Sequence, residues 1–266
     1  MQRRKSTVDA LLSLLVILAV WEAAVRLGVL RSTFLPSPSR LVATTADLIG
    51  TQVLFINAAG SLLRVLAGFS IASVLGVGLG LVLSNWPAAS RRVRPFFELL
   101  RPIPPIAWIP IAILWFGLGN PSAIFIVTIG AFFPIFFNTY SGINAVSQAY
   151  VNAARSLGAG RPLVVTDILL PAALPQILTG LRVGVGIAWT SVIAAEMVGA
   201  REGLGYAIQL NRTMLETDAV IVNMIVIGLL GWAMNFSAGK LEHRLTPWNT
   251  RTVADHHSEP KALHGR

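Results

Sequence analysis

Long apolar runs, separated by short polar segments, dominate the pattern of hydrophobic and polar positions along the chain. A helix needs about 20 mostly apolar residues to cross the hydrocarbon core of a bilayer, so these runs predict spanning helices. We expect an all-α, polytopic membrane helical bundle with about six transmembrane helices. The six runs are Val8–Gly28, Leu62–Ser84, Pro102–Leu118, Ala123–Ile143, Ile177–Val198 and Val220–Lys240.

Two regions of this pattern are irregular. The third run is short and rich in proline, which removes backbone donors, so its first turns are expected to depart from regular helix. Between the first two runs, Leu35–Ser39 contains two prolines and predicts an extended segment. Leu41–Asn57 then predicts a moderately apolar helix that lies in the membrane interface.

Composition agrees with a membrane protein and removes several other classes. Hydrophobic residues make up 54% of the 266 residues and charged residues 12%, against about 25% charged in a typical soluble chain. Intrinsic disorder is excluded by this composition. The net charge of +9 is spread between apolar runs rather than gathered on a soluble surface, which argues against a nucleic-acid binder.

Candidate catalytic and metal-binding chemistry is sparse in the sequence. There is no cysteine, and the four histidines all lie from His243 onward, so no metal site is predicted at membrane depth. None of the three lysines ends a glycine-rich P-loop, so this chain has no nucleotide site of its own. No cofactor is expected in the chain, and it is not expected to be an enzyme.

The basic residues predict an orientation. With a cytoplasmic amino terminus, most of the 21 lysines and arginines flank the spans on the cytoplasmic side, as the positive-inside rule requires. Both termini are then cytoplasmic. The first run also has features of a cleaved signal peptide, although it continues through Glu22 and Arg26. The cytoplasmic clusters are Arg3–Lys5, Arg91–Arg101, Arg155–Arg161 and Lys240–Arg266.

The connection between the fourth and fifth runs, residues 144–176, is long and patterned. Tyr150–Leu157 predicts a short helix, which glycines at 158 and 160 end. Pro162–Leu170 resumes an apolar pattern, and we expect Pro171 and Pro175 to break it before the next span. Long ordered loops are usually functional, so this loop is predicted to place an organised structure in the cytoplasm.

The residues of this loop resemble the EAA loop of bacterial ABC-importer permeases, with Asn152 where the family usually has Glu. Further segments resemble landmarks of the type I permeases that import sulfonates, taurine, nitrate and related compounds, and the resemblance covers about residues 8–245. The loop residues that carry it are Asn152, Ala153, Ala154, Leu157, Gly158, Ile168, Leu170 and Pro171. The other segments are Leu35–Pro38, Ile113–Gly117, Phe133–Ile135, Ala195–Glu196 and Gly203–Tyr206.

The resemblance implies a permease subunit in the bacterial cytoplasmic membrane. Its short loop helix would be a coupling helix that docks on an ATP-binding subunit, with Asn152 offering a hydrogen bond but no charge. A second permease copy, two ATP-binding-cassette subunits that bind the ATP, a substrate-binding protein and the membrane lipid would be its partners. Residues 1–245 would form the permease domain, and residues 246–266 a polar, disordered cytoplasmic tail.

Polar groups within the apolar runs are candidates for the transport pathway and its gate. Glu196 could line a cavity or an outer gate, or be a hydrogen-bonded structural carboxylate. Arg182 and Arg64 could attract an anion or extend to the interface, and the pair Glu22 and Arg26 is expected to be self-paired. The full set of candidates is Glu196, Arg182, Trp189, Thr190, Ser191, Gly203 and Gly205.

Gly76–Gly80 contains three glycines inside a span and predicts close helix packing.

The expected cargo is an aliphatic sulfonate or taurine, with nitrate or a related compound as the alternative. A stand-alone secondary transporter or channel is the alternative function; it would leave the organised cytoplasmic loop unexplained.

Overall fold

The computed structural model describes residues 2–247, and the side chains of residues 2–11 and 14 are left out of the description. Regular structure in residues 2–247 is helical throughout, which confirms the all-α prediction. The helices are α1 (Gln2–Arg26), α2 (Pro38–Gly50), α3 (Val53–Asn85), α4 (Pro87–Leu100), α5 (Ile109–Phe116), α6 (Asn120–Asn144), α7 (Gln148–Ser156), α8 (Arg161–Val164), α9 (Leu170–Gly199), α10 (Leu204–Thr213) and α11 (Thr217–Leu245).

Among the described residues, four helices are long and apolar enough to cross a membrane. They are α3, α6, α11 and the continuous helix Arg161–Gly199, and they contain four of the six predicted spans. The first predicted span, Val8–Gly28, overlaps α1 and extends two residues beyond its end, and part of it lies outside the described side chains. The predicted polar tail lies outside the described residues from position 248 onward.

The third predicted span, Pro102–Leu118, overlaps only the second half of a broken helix pair. The segments Pro87–Leu100 and Pro105–Phe116 are long and apolar enough to cross a membrane only together, and they are bent by 94° to one another. Pro104 is extended, with φ −64° and ψ 143°, and a 3-10 turn over Pro105–Trp108 precedes α5. The prolines therefore produce the irregular turns that the sequence predicted, because they cannot donate helical hydrogen bonds.

The predicted helix Leu41–Asn57 is wrong. Helix α2 ends at Gly50, where the Thr51 N–H donates to the carbonyls of Asp47 and Ile49. Gln52 follows with φ +60°, a left-handed conformation that no helix interior contains. A new helix starts at Val53 and runs through the predicted second span, so that span begins nine residues before its predicted start at Leu62.

The chain divides into two compact units. The first unit contains residues 2–63 and 193–230, and within it α1 is hydrogen-bonded to α2. The Glu22 carboxylate accepts hydrogen bonds from the Ser39 N–H at 3.0 Å and the Ser39 hydroxyl at 2.8 Å. It also pairs with Arg26 at 2.7 Å, as predicted. One carboxylate therefore caps α2, whose N-terminal N–H groups lack helical partners.

The second unit, residues 64–192 and 231–247, contains a close contact between α3 and α6. A Cβ added at Gly76 would lie 2.9 Å from Ile135 Cγ2, and one at Gly80 would lie 2.7 Å from Thr139 Cγ2. These two glycines confirm the predicted close packing, since any side chain would push the helices apart. Gly78 faces open space and takes no part in it.

The segment α8–α9 differs from the prediction of a proline stop. The helix runs from Arg161 to Gly199 without a break, through a π-helical turn over Val165–Leu169. In this turn the Leu170 N–H donates to the Val165 carbonyl. Pro171 and Pro175 lie within the helix rather than ending it. The π turn is placed directly before Pro171, and such turns are a usual adjustment where a helix has lost a donor.

Candidate functional site

The loop between α6 and α9 contains a short helix, α7, that exposes apolar side chains. Ser147 caps its N-terminus, where its hydroxyl accepts the Ala149 N–H at 3.4 Å. Val151 is buried and fixes the helix to the protein, while Tyr150 is exposed. Leu157 at its end is 89% exposed. Tyr150 and Leu157 thus expose apolar surface on this loop.

Glycine ends α7 as the sequence predicted. Gly158 has φ +87°, and the Ala159 N–H donates to the Ala154 carbonyl at 3.0 Å. This is the hydrogen bond of a Schellman C-cap, which requires a left-handed residue at the position of Gly158. Asn152 and Ala153 are exposed on the helix and Ala154 is half-buried; the Asn152 Oδ1 accepts from Gln148 Nε2 at 3.2 Å.

The second half of the loop anchors it to the spans. Leu170 packs against a buried cluster of Ile143, Ala173 and Ile177, which joins the end of α6 to the start of α9. Ile168 is half-buried in the π turn, whereas Pro171 is exposed. A displacement of the loop would therefore reach both helices directly.

A buried carboxylate organises the other set of predicted site residues. Glu196 is 1% exposed, and its Oε2 accepts from the Ser61 hydroxyl at 2.9 Å and from the Gly205 N–H at 3.0 Å. Ser61 Oγ in turn accepts the Leu204 N–H at 3.0 Å. The carboxylate and the hydroxyl thus satisfy N–H groups at the start of α10, which have no helical partners.

Both predicted glycines lie directly against Glu196. Gly203 has φ +120°, and a Cβ there would lie 2.5 Å from the Glu196 Cδ. A Cβ at Gly205 would lie 2.5 Å from the Ile193 carbonyl oxygen and 2.9 Å from the Glu196 Cβ. The Gly203 N–H donates to Asn57 Oδ1 at 2.9 Å. Glycine is required here because the backbone passes over the carboxylate with no room for a side chain.

Arg182 and Trp189 line a different feature, an open groove of about 640 Å³ between α9 and α11. Arg182 Nη1 lies 3.2 Å from Glu242 Oε2, and its Nε donates to Asn235 Oδ1 at 3.4 Å. Thr179 donates to the other Glu242 oxygen at 3.2 Å. The groove therefore contains an ion pair that is held by neutral hydrogen-bonding groups.

The remaining candidates are separate. The exposed Thr190 hydroxyl donates to the Ile187 carbonyl at 3.0 Å, and Ser191 is buried against Gly130. Arg64 does not extend to the interface: it is 3% exposed, with its Nε 2.6 Å from Asn120 Oδ1. Extension to the interface, one of the two alternatives for Arg64, is therefore wrong, because the side chain is buried and donates a hydrogen bond within the protein.

Sequence reasoning missed several residues of these sites. Asn57 and Ser61, four apart on α3, were not singled out, although an i, i+4 polar pair in an apolar helix indicates a shared polar face. Glu242 was also missed, although it is an acidic residue among basic ones at the end of α11. Within the described part of the chain, no three histidine, aspartate or glutamate side chains are grouped as a metal site requires.

Comparison with known proteins decides the family. A family model described as binding-protein-dependent transport system inner membrane component matches residues 72–247. The chain belongs to this family. A similar member is TauC, the taurine transport system permease protein of Escherichia coli (strain K12), which is 34% identical over 242 residues, covering 89% of this chain and 88% of TauC.

Other comparisons extend the family assignment. NrtB, the nitrate import permease protein of Synechocystis sp., is 36% identical over 222 residues, covering 80% of this chain and 81% of NrtB. Among solved structures, the inward-facing MetNI methionine ABC transporter matches with a TM-score of 0.66 at 20% identity, covering 74% of this chain and 97% of that chain. The match to MetNI shows that the two chains share a fold, that of a type I importer permease.

The family assignment settles the class of function. The chain is the membrane-spanning permease subunit of an ABC importer, a multi-pass component of the inner membrane. Members of the family transport solutes rather than catalyse a reaction, and they work with an ATPase and a substrate-binding protein. The alternative of a stand-alone transporter or channel is therefore not supported.

Proposed function

We propose that this permease imports a small sulfonate, with taurine as the preferred cargo. The observation that supports the proposal most strongly is the similarity to TauC along nearly the whole length of both chains. Nitrate is the second candidate, because NrtB is similar over a comparable share of the chain. ATP would be bound by two partner ATPase subunits, and a binding protein would deliver the cargo at the outer face.

The cytoplasmic loop would couple ATP hydrolysis to transport. Leu157 and Tyr150 offer apolar surface to an ATPase, and Ala153 allows a close approach. Asn152 accepts hydrogen bonds but brings no charge to that contact. Gly158, Ile168, Leu170 and Pro171 would hold the helix at a set position relative to α6 and α9.

Two copies of the chain would form the transporter, with the pathway along their interface and access alternating between the two sides. Both termini would be cytoplasmic. On the outer side, the loop over Glu196, Gly203 and Gly205 would form a rigid part of the gate, because its backbone N–H groups are held by buried side chains. Arg182, Trp189, Thr190 and Ser191 are proposed to lie along the pathway.

Uptake into proteoliposomes tests the proposal. The permease is reconstituted with the ATPase and binding protein encoded beside it, and uptake of radiolabelled taurine and nitrate is followed with and without ATP. We expect ATP-dependent accumulation of taurine that unlabelled sulfonates inhibit. Accumulation of nitrate alone would reassign the cargo, and uptake of taurine without ATP would contradict the importer.

A further inference from the structure

The groove between α9 and α11 contains fixed charges of both signs. Its charged lining residues, among those described, are Arg182 and Glu242, and its neutral polar ones include Thr179 and Asn235. Arg182 lies within the predicted fifth span. Ionisable side chains at such a position almost always face protein or a water-filled space, because exposure to lipid is costly. The groove is therefore a place where a polar solute can be accommodated inside the membrane domain.

The ion pair between Arg182 and Glu242 can be replaced by contacts with a ligand. A guanidinium can make two parallel hydrogen bonds to a carboxylate, but the contact between Arg182 and Glu242 in the described structure is that of Nη1 with Oε2 at 3.2 Å. The Arg182 side chain is 45% exposed and that of Glu242 is 21% exposed. Arg182 has five N–H donors, and its contacts in the described structure, to Glu242 and Asn235, leave donors available to a ligand.

Aromatic side chains complete the lining. Trp232 is 65% exposed and lies on the groove, where it stacks on Phe236 with ring centroids 5.3 Å apart. Trp189 lies further along the groove, against Gly231. These indoles bound the groove, and its cation and anion suit a ligand that itself carries both charges.

We propose that this groove binds the transported solute as a zwitterion, with its sulfonate on Arg182 and its ammonium group on Glu242. This inference rests on the proposed function, and it narrows the cargo to aminosulfonates such as taurine. Nitrate would use only the Arg182 side of the groove. Binding would replace the internal ion pair by two ion pairs to the ligand, so no charge would be left without a partner.

Equilibrium binding to the purified permease–ATPase complex tests the inference, with taurine and isethionate as probes. Isethionate has a hydroxyl in place of the ammonium group of taurine and is otherwise the same sulfonate. Glu242→Gln should weaken taurine binding about tenfold or more, the usual effect of losing one charge-assisted contact. The same variant should leave isethionate binding equal or tighter, because Arg182 loses its competing anion.

Two further variants keep the test specific. Arg182→Gln should weaken both probes. Gly186→Leu should block both by filling the groove, because the position of a Cβ at Gly186 has no atom within 4 Å. Gly78→Leu is the matched control, since Gly78 is also a helical glycine with open space around it but lies outside the groove. It should leave binding unchanged.

The outcomes separate this inference from the proposed function. Equal effects of Glu242→Gln on taurine and isethionate, or no effect on either, would overturn the zwitterion site while wild-type taurine uptake stands. Loss of subunit assembly in Gly186→Leu but not in Gly78→Leu would show that a protein surface covers the groove, which also overturns it. Failure of the wild-type importer to accumulate any sulfonate would instead contradict the proposed function.

Discussion

At the scale of single residues, Gly203 combines two demands that a side chain cannot meet together. Its φ of +120° is rarely adopted by other residues, and the Glu196 carboxylate occupies the place of its Cβ. Gly119 has nearly the same backbone conformation, with φ +123°, but open space around it. A comparison of substitutions at Gly203 and Gly119 therefore separates the cost of backbone strain from the cost of steric contact.

We predict that Gly203→Ala destabilises the permease more than Gly119→Ala does. Both variants place alanine in a backbone region that is essentially restricted to glycine, which costs about 1–3 kcal/mol. Only Gly203→Ala also displaces a buried carboxylate from its hydrogen bonds, a mechanism typical of the larger destabilisations. Thermal unfolding of the detergent-purified complex measures the difference. Equal melting temperatures would show that Glu196 moves aside freely and holds the loop only weakly.

The sequence indicated part of this residue-scale site. Glu196 was recognisable because a charge in an apolar run needs partners, and the two glycines followed from the family resemblance. Asn57 and Ser61 were not predicted, because they lie more than 130 residues away along the chain. Only the fold brings α3 against the start of α10, and sequence spacing contains no information on that contact.

At the scale of elements, helix starts and stops were predicted where a local signal acts alone. Gly158 ends α7 as expected, because no neighbouring element competes with its C-cap. Proline was a weaker guide: Pro104 and Pro105 break the third span, yet Pro171 and Pro175 lie inside a continuous helix. The difference is that the latter follow a π turn and packed residues such as Leu170, which support the helix across the missing donors.

For α7, the proposed coupling helix, we predict that Gly158→Asp uncouples ATP hydrolysis from uptake while the complex stays assembled. The substitution strains the C-cap and adds a charge beside Leu157, the exposed apolar contact. Gly28→Asp is the matched control, because Gly28 has φ +74° and equally open surroundings. ATPase rate and taurine uptake are measured in the same proteoliposomes.

A normal ratio of uptake to hydrolysis in Gly158→Asp would show that the loop is not the coupling contact. Loss of the ATPase subunit during purification would place Gly158 in assembly rather than in signal transmission. A comparable defect in Gly28→Asp would attribute the effect to backbone strain in general.

At the scale of the whole molecule, the family was predicted correctly from its resemblance to particular residues of the loop 144–176. The hydropathy pattern predicted the fold class correctly, since membrane burial is a property of long stretches. It was less informative about how many spans are continuous. The third is bent by 94°, and the helix that contains the fifth extends to 39 residues. Such changes depend on packing between helices, which runs of apolar residues do not specify.

Membrane orientation can be tested simply because the sequence contains no cysteine. We predict that Ser32→Cys is labelled by a membrane-impermeant maleimide in intact cells, and that Ser156→Cys is labelled only after permeabilisation. Both serines are exposed in the structure. The positive-inside rule is the physical basis, since basic flanks stay in the cytoplasm. The opposite labelling pattern would place the coupling loop outside and contradict the proposed coupling role.

The π turn over Val165–Leu169 has a mechanical consequence. A π turn contains one residue more than an α turn, so its conversion to regular helix would rotate the following segment by about 100° and move it by about 1.5 Å. The segment after the π turn is α9, which includes Arg182 and Trp189. The segment before the π turn includes α8 and the glycine turn that ends α7. Loss of the π turn from the helix Arg161–Gly199 would thus turn the face of α9 that lines the groove relative to the loop before it.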